Sequence, residues 1–263
     1  MFRALYTAAT GMTAQQNNLD NIANNISNAS STGFRRRRMQ FQDLYYQNMV
    51  MPGAAATQQT TVAAGLQIGL GTRTVASEIS QTQGDIQQTG NQLDIAIQGN
   101  GFFQILMPSG QLAYTRDGNF HTDANGIVVT SDGNPLQPTI TVPAGTTSIT
   151  IGGDGTVSVT QANQTAAQQI GNIQLVNFAN PEGLNSVGAN LFLPTAASGD
   201  PVQGIPGGAE GLGTLQQGAL EQSNVSVVQE FVDMILAQRS YEANSRVVKA
   251  GDEMFQQLNN LTT

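Results

Sequence analysis

FRALYTAATGMTAQQNNLDNIANNISN, residues 2–28, sets the terms for the rest of the chain. Within it Leu5, Ala8, Met12, Gln15, Leu19, Ile22 and Ile26 recur at alternating steps of three and four. That spacing draws one stripe down an α-helix. A second stripe of Asn17, Asn21, Asn24 and Asn28, doubled by Asn18 and Asn25, coats the other side. Asn is a poor interior helix residue because its amide competes for backbone hydrogen bonds. The helix therefore has a narrow apolar seam, an amide-coated back and little strength alone.

The only segment of similar character lies at the far end of the chain. From Val225 the period becomes helical again, and Ser226 with Gln229 fits a capping box. Val227, Phe231, Met234, Gln238, Tyr241, Ser245, Val248, Asp252 and Phe255 follow steps of four and three. Val228, Val232 and Ile235 widen this stripe early, and Met254, Leu258 and Leu261 widen it late. The spacing predicts a helix on the order of 50 Å long. Two such helices are predicted to pair as a coiled coil, with the amide stripe left to address neighbouring subunits.

Between them the pattern changes twice. Gln47 to Gly71 is rich in small residues, Thr and Gln, and reads as an irregular, extended arm. From Thr72 to Leu220 short alternating runs are separated by Gly, Asp and Asn turns, for example Leu93, Ile95 and Ile97 before Gly99-Asn100-Gly101. This is the signature of a compact all-β domain. The expected fold class is α+β, with residues 1–34 as the N-terminal helix, 35–71 as the arm, 72–222 as the β-rich domain and 223–263 as the C-terminal helix.

Composition narrows the function. Charged residues are only 11% of the chain, and no Lys or Arg lies between Arg116 and Arg239. The middle is therefore acidic and unsuited to nucleic acid. One basic run, Arg35 to Arg38, lacks a second patch to support such a role. Cysteine is absent, which removes disulfides, thiolate metal sites and a Cys nucleophile. His121 is the only histidine and reads as a surface residue, since His metal sites cluster their ligands. No cofactor or metal is expected, no apolar run is long enough for membrane insertion, and no Sec-type signal peptide is read at the N-terminus.

The run Ala23-Asn24-Asn25-Ile26-Ser27-Asn28-Ala29-Ser30-Ser31-Thr32-Gly33-Phe34 resembles the signature of the flagellar rod and hook family, with Asn24, Asn25, Asn28, Gly33 and Phe34 as its hallmark positions. Glu230 to Ile235 and Gln238 to Asn244 resemble that family's terminal helix. Asp94 to Phe103 and Tyr114 to Phe120 look like segments of its β-domain. The likeness covers nearly the whole chain in the right order. Its length fits a rod subunit and is too short for a typical hook subunit. The arm from Tyr45 to Gly69 is similar to a stretch found in the distal part of the rod. Four consecutive arginines stand where the family commonly has one or two basic residues.

The resemblance implies a structural subunit that stacks helically into a hollow rod of the basal body, coupling motor to hook and exported without a cleaved signal peptide. Its implied partners are copies of itself, other rod proteins, the hook protein, the surrounding ring proteins and the rod cap. Leu5, Met12, Leu19, Ile22, Ile26, Phe231, Met234, Tyr241, Val248 and Phe255 are then the helix-packing and assembly seam. A proximal rod or hook-type subunit is the near alternative. Rivals from other classes are a peptidoglycan-acting enzyme, which needs two positioned carboxylates among acids such as Asp94, Asp117 and Asp123, and a secreted adhesin with a β-head on a helical stalk.

Overall fold

A computed structural model describes residues 2–53, 63–162, 166–208 and 211–261. The chain is α+β: helix α1 (Phe2–Ser27), a mostly β middle and helix α2 (Val227–Leu261). It divides into two compact units. One comprises Met1–Ser27, Arg37–Glu78 and Ser226–Thr263, and the other Asn28–Arg36 and Ile79–Val225.

In the helical unit α1 and α2 run side by side in opposite directions. Phe2 meets Phe255 at a ring-centroid distance of 5.2 Å, Gly251 faces Leu5 and Gly11 faces Asn244, and Asn25 bonds Glu230. Small residues set this approach. A Cβ on Gly251 would lie 2.6 Å from Leu5 Cδ2, and one on Gly11 would lie 2.7 Å from Asn244 Nδ2. The line of closest approach on α2 runs along Glu230, Ala237, Asn244 and Gly251. Glu230, Ala237 and Gly251 are buried, whereas Phe231 is 50% exposed and Tyr241 39% exposed. Met234, Val248 and Phe255 are half-buried, as are Leu5, Met12, Leu19 and Ile26, while Ile22 is buried. Leu258 and Leu261, expected to widen the stripe, lie outside the described side chains.

The arm is not irregular where it is described. Arg37–Asp43 pairs with Thr72–Ile79, and Tyr46–Val50 pairs antiparallel with Leu66–Gly69. The Leu44 N–H donates to Gly71 O at 2.9 Å between the two pairs, so they continue one another as a two-stranded ribbon. Period-2 patterning missed it because every residue of Tyr46–Val50 is exposed. Cross-strand hydrogen bonds, not burial, define these strands. Residues 54–62 of the expected arm, including Gln59, Thr60 and Thr61, are outside the described set.

The β unit is built on an antiparallel sheet ordered Asn185–Gly188, Leu191–Leu193, Leu112–Thr115, Phe102–Leu106, Leu175–Asn177 and Val202–Gly204, with Leu136–Gln137 also bonded to Phe102–Leu106. The central strand is covered on both faces, which is why Phe102-Phe103-Gln104-Ile105 reads as a nearly continuous apolar run. Phe103, Ile105 and Leu175 join one core with Phe120, Leu136 and Ile173. Phe102, Tyr114 and Val176 point into a second with Phe178, Leu184 and Phe192. Phe103 is fully buried and meets Phe120 edge to face at 5.1 Å. Phe103→Ala is therefore expected to destabilise the β unit by about 3–5 kcal/mol, read as a lowered urea midpoint. A loss under about 1 kcal/mol would show that this core collapses around the cavity.

Candidate functional site

The family-like signature falls at two nodes, one in each unit. In the helical unit the working residue is Asn25, only 1% exposed. Its Oδ1 accepts the Arg37 N–H at 3.0 Å, and its Nδ2 donates to Arg37 O at 2.8 Å. The carboxamide thus stands in for a strand partner at the start of Arg37–Asp43. Nδ2 also donates to Glu230 Oε2 at 3.1 Å, and Glu230 is fully buried. Only a short amide can accept one backbone group and donate to another here; Asp lacks the donors. Asn21 Nδ2 reaches Arg37 O at 2.8 Å, and Asn17 Nδ2 reaches Thr74 Oγ1 at 3.2 Å. The asparagines expected to address neighbouring subunits are at these three positions turned onto the chain's own ribbon. Asn24 is exposed.

In the β unit the segment from Asn28 to Arg36 is held at every turn. Ser31 Oγ donates to Asn28 Oδ1 at 3.3 Å. Gly33 has φ +67°, and a Cβ there would lie 2.6 Å from the Asp117 nitrogen, so no other residue fits without moving backbone. The Gly33 N–H donates to Glu221 O at 2.9 Å, and Phe34 beside it is half-buried. Thr32 Oγ1 donates to Asp117 Oδ1 at 3.0 Å, and Asn190 Nδ2 donates to Thr32 O at 2.9 Å.

Beneath this lies a buried ion cluster. Arg35 Nη2 sits 2.9 Å from Glu221 Oε1, and Arg116 Nη1 sits 3.3 Å from Glu221 Oε2. All three side chains are almost fully shielded from solvent. Two cations against one anion need further acceptors. Arg35 also donates to Thr82 O. Arg116 Nη2 donates to Gly99 O at 2.8 Å, and its guanidinium lies 5.3 Å over the Phe102 ring. Burial, reinforced by the like charge of Arg35 and opposed by Glu221, pulls the Arg116 pKa down to about 10. It still carries its proton at neutral pH.

Of the four-arginine run, Arg35 is this buried member and Arg37 supplies backbone to Asn25. The Arg36 N–H donates to Asn224 Oδ1 at 2.6 Å. Arg38 makes an exposed pair with Glu78 at 2.9 Å, a geometry that contributes little. Glu221 was not singled out in the sequence, and the burial of Arg116 and Glu230, which lie in family-like segments, was not foreseen because burying a charge contradicts its surface default. The three carboxylates weighed for catalysis are turn acceptors. Asp94 takes Asn91 Nδ2 at 2.9 Å, Asp117 takes the Asn119 N–H at 3.1 Å, and Asp123 takes the N–H groups of Asn125 and Ile127 at 2.8 Å each. Among the described residues, no three of His, Cys, Asp and Glu are grouped so as to hold a metal ion.

Three families of known proteins match stretches of the chain that carry residues of these nodes. Residues 5–35, carrying Asn25, Gly33 and Arg35, match the family described as "Flagella basal body rod protein". Residues 96–159, carrying Arg116, match "Flagellar hook protein FlgE/F/G D1 domain", and residues 216–261, carrying Glu221 and Glu230, match "Flagellar basal body rod FlgEFG protein C-terminal". The chain belongs to the flagellar rod and hook protein family.

Within it, the chain is similar along its whole length to proteins named flagellar basal-body rod protein FlgG. That of Borreliella burgdorferi is 48% identical over 263 residues, covering 99% of each chain. That of Buchnera aphidicola from Acyrthosiphon pisum is 44% identical, covering 99% of this chain and all of the relative. That of Bacillus subtilis is 39% identical, covering 99% of each.

Two substitutions test the β-unit node. Glu221→Gln leaves both guanidiniums without a counter-charge and is expected to cost about 3–5 kcal/mol in urea unfolding; an unchanged midpoint would remove the cluster from the stability argument. Asp117 has its pKa raised, chiefly by burial and against the hydrogen bonds from Asn119 and Thr32. A carboxyl raised above its unfolded value contributes stability below that unfolded pKa and loses it as pH rises through the folded one. Asp117→Asn keeps the Oδ1 acceptor and cannot ionise. The melting temperature of this variant minus that of the parent is expected to climb as pH rises from about 3 to about 7; a difference that falls contradicts the assignment.

Proposed function

We propose that this chain is the structural subunit of the distal part of the flagellar basal-body rod. The observation that supports this reading most is full-length similarity to relatives named as basal-body rod proteins. The three family matches, at residues 5–35, 96–159 and 216–261, reach from one end of the chain to the other. The working chemistry is packing, and the exposed apolar surface fits that role. Val228, Phe231, Ile235 and Leu236 stand at least half exposed on the first turns of α2. Tyr45, Tyr46, Met49, Met51 and Leu66 do the same on the ribbon. Clustered exposed apolar side chains of this kind suit interaction surfaces.

In the proposed rod, copies of the chain stack helically, and α1 and α2 supercoil as a coiled coil within concentric layers. Covering the exposed half of one large apolar side chain contributes about 1 kcal/mol. Associating two free copies costs about 4–15 kcal/mol in lost freedom. A single pair is then marginal, whereas a subunit added to a growing end meets several neighbours at once. Growth by addition at the tip follows, and the ribbon braces adjacent copies against bending. Other rod proteins, the hook protein, the ring proteins and the rod cap are the remaining partners. The chain reaches this site by export without a cleaved signal peptide.

The test is electron microscopy of isolated basal bodies. Cells lacking the chain are expected to make basal bodies without a distal rod, and cells carrying a chain without residues 47–65 are expected to make rods that bend. Complete rods in the first strain sink the functional reading. Straight, stiff rods in the second sink only the bracing role.

A further inference from the structure

The chain holds two Asn-Gly pairs, Asn100-Gly101 and Asn125-Gly126. Asn followed by Gly can lose its side-chain amide without an enzyme, because glycine has no side chain to hinder its own nitrogen. That nitrogen attacks Asn Cγ, the Cγ–Nδ2 bond breaks, and the amide leaves as ammonia with the backbone proton. Water then opens the cyclic imide at one of its carbonyls. Opening at Cγ leaves Asp. Opening at the main-chain carbonyl leaves isoaspartate, whose backbone runs through the side chain and is longer by a carbon.

The fold treats the two pairs differently. Asn125 is tied at both reacting groups. Its Nδ2 donates to Asp123 Oδ2 at 3.2 Å, its own N–H donates to Asp123 Oδ1 at 2.8 Å, and the attacking Gly126 N–H donates to Asp123 O at 3.0 Å. Asn100 is exposed, and its carboxamide makes no hydrogen bond among the described residues. Gly101 is buried against Leu175 and Leu212, yet its N–H also has no acceptor among the described residues. No bond to that nitrogen need open before it attacks.

The surroundings of Gly101 also favour loss of its proton. The Gly213 N–H donates at 2.7 Å to Asn100 O, which shares a peptide group with the Gly101 nitrogen. A bond accepted at the oxygen polarises that peptide group. Arg116 Nη2 donates to Gly99 O at 2.8 Å, a peptide earlier, and its guanidinium belongs to the cluster in which two cations share one anion. A nearby positive charge favours the anionic nucleophile. We infer that Asn100 is a site of spontaneous modification in the folded chain, converting to Asp and isoaspartate, while Asp123 protects Asn125. The isoaspartate form lengthens the link between strands Ile95–Gln98 and Phe102–Leu106 and draws Asn100 O away from Gly213.

The test incubates the purified full-length protein in mildly alkaline buffer, folded and in urea, and maps it by mass spectrometry. Trypsin separates the two pairs: residues 74–116 carry Asn100, residues 117–239 carry Asn125, and each stretch has its only Arg or Lys at its end. In the folded protein Asn100 is expected to convert about tenfold or more faster than Asn125, where two hydrogen bonds must open first. In urea the two rates are expected to converge, which assigns the difference to the fold and not to the dipeptide. Asp123→Ala is expected to raise conversion at Asn125, and an isoaspartyl methyltransferase is expected to label residues 74–116 of the aged protein. The inference is overturned if Asn100 reacts in urea but stays intact in the folded protein, or if folded Asn125 converts as fast as Asn100. It is equally overturned if Asp123→Ala leaves Asn125 as slow as before.

Discussion

A buried peptide group must find a hydrogen-bond partner, and in this chain side-chain amides repeatedly supply it. Asn25 closes on both backbone groups of Arg37. Gln83 donates to Ile97 O at 2.9 Å and accepts the Gly99 N–H at 3.0 Å. Gln217 donates to Ile149 O at 2.7 Å and accepts the Ile151 N–H at 3.0 Å. Asn224 accepts the Arg36 N–H and donates to Ser80 O and Thr82 O. Each amide takes the place a neighbouring strand would fill. A composition poor in charge and rich in Asn and Gln is thereby explained inside the fold: short strands with ragged ends are finished by side chains.

The same device explains what could and could not be read in advance. The helices were legible because their period is carried by many residues at once. So was the β middle, where turns such as Asp117-Gly118 punctuate short apolar runs. Of the ribbon, Thr72–Ile79 lay within the expected β stretch, but Tyr46–Val50 was missed, since it has no buried face to impress a pattern on its sequence. The period of α2 was legible, but the line along which it meets α1 most closely was not. The large residues at 231 and 241 suggested one face, and the small ones at 237 and 251, which permit close approach, determined another. Asn25 was read as part of the amide stripe and Gly33 through resemblance; their reasons, a bracketed backbone and a left-handed turn against Asp117, depend on residues distant in sequence.

Charge follows the same division between local and distant. Arg35 and Arg116 are both withdrawn into the cluster on Glu221, and no further Lys or Arg follows until Arg239. The β unit therefore uses two of its few cations to hold its own chain segments together. Gly84 N–H on Glu221 Oε1 at 3.0 Å adds the strand entry near residue 84 to the same knot. Breaking one partner strands the others in a medium that does not solvate them, which ties several chain crossings into one cooperative element.

Asn25 and Glu230 are 205 residues apart, which makes their contact one of the least local in the fold. Joining them directly would close a loop of nearly the whole chain, and non-local closure is what slows folding. Pairing of Ile86–Gln88 with Ala219–Glu221 brings the two ends of the β unit together. The remaining loop is then a fraction of its original length. The terminal helices are the first and last segments of the chain, so their contact is the most distant in sequence and is shortened only by pairings within the middle.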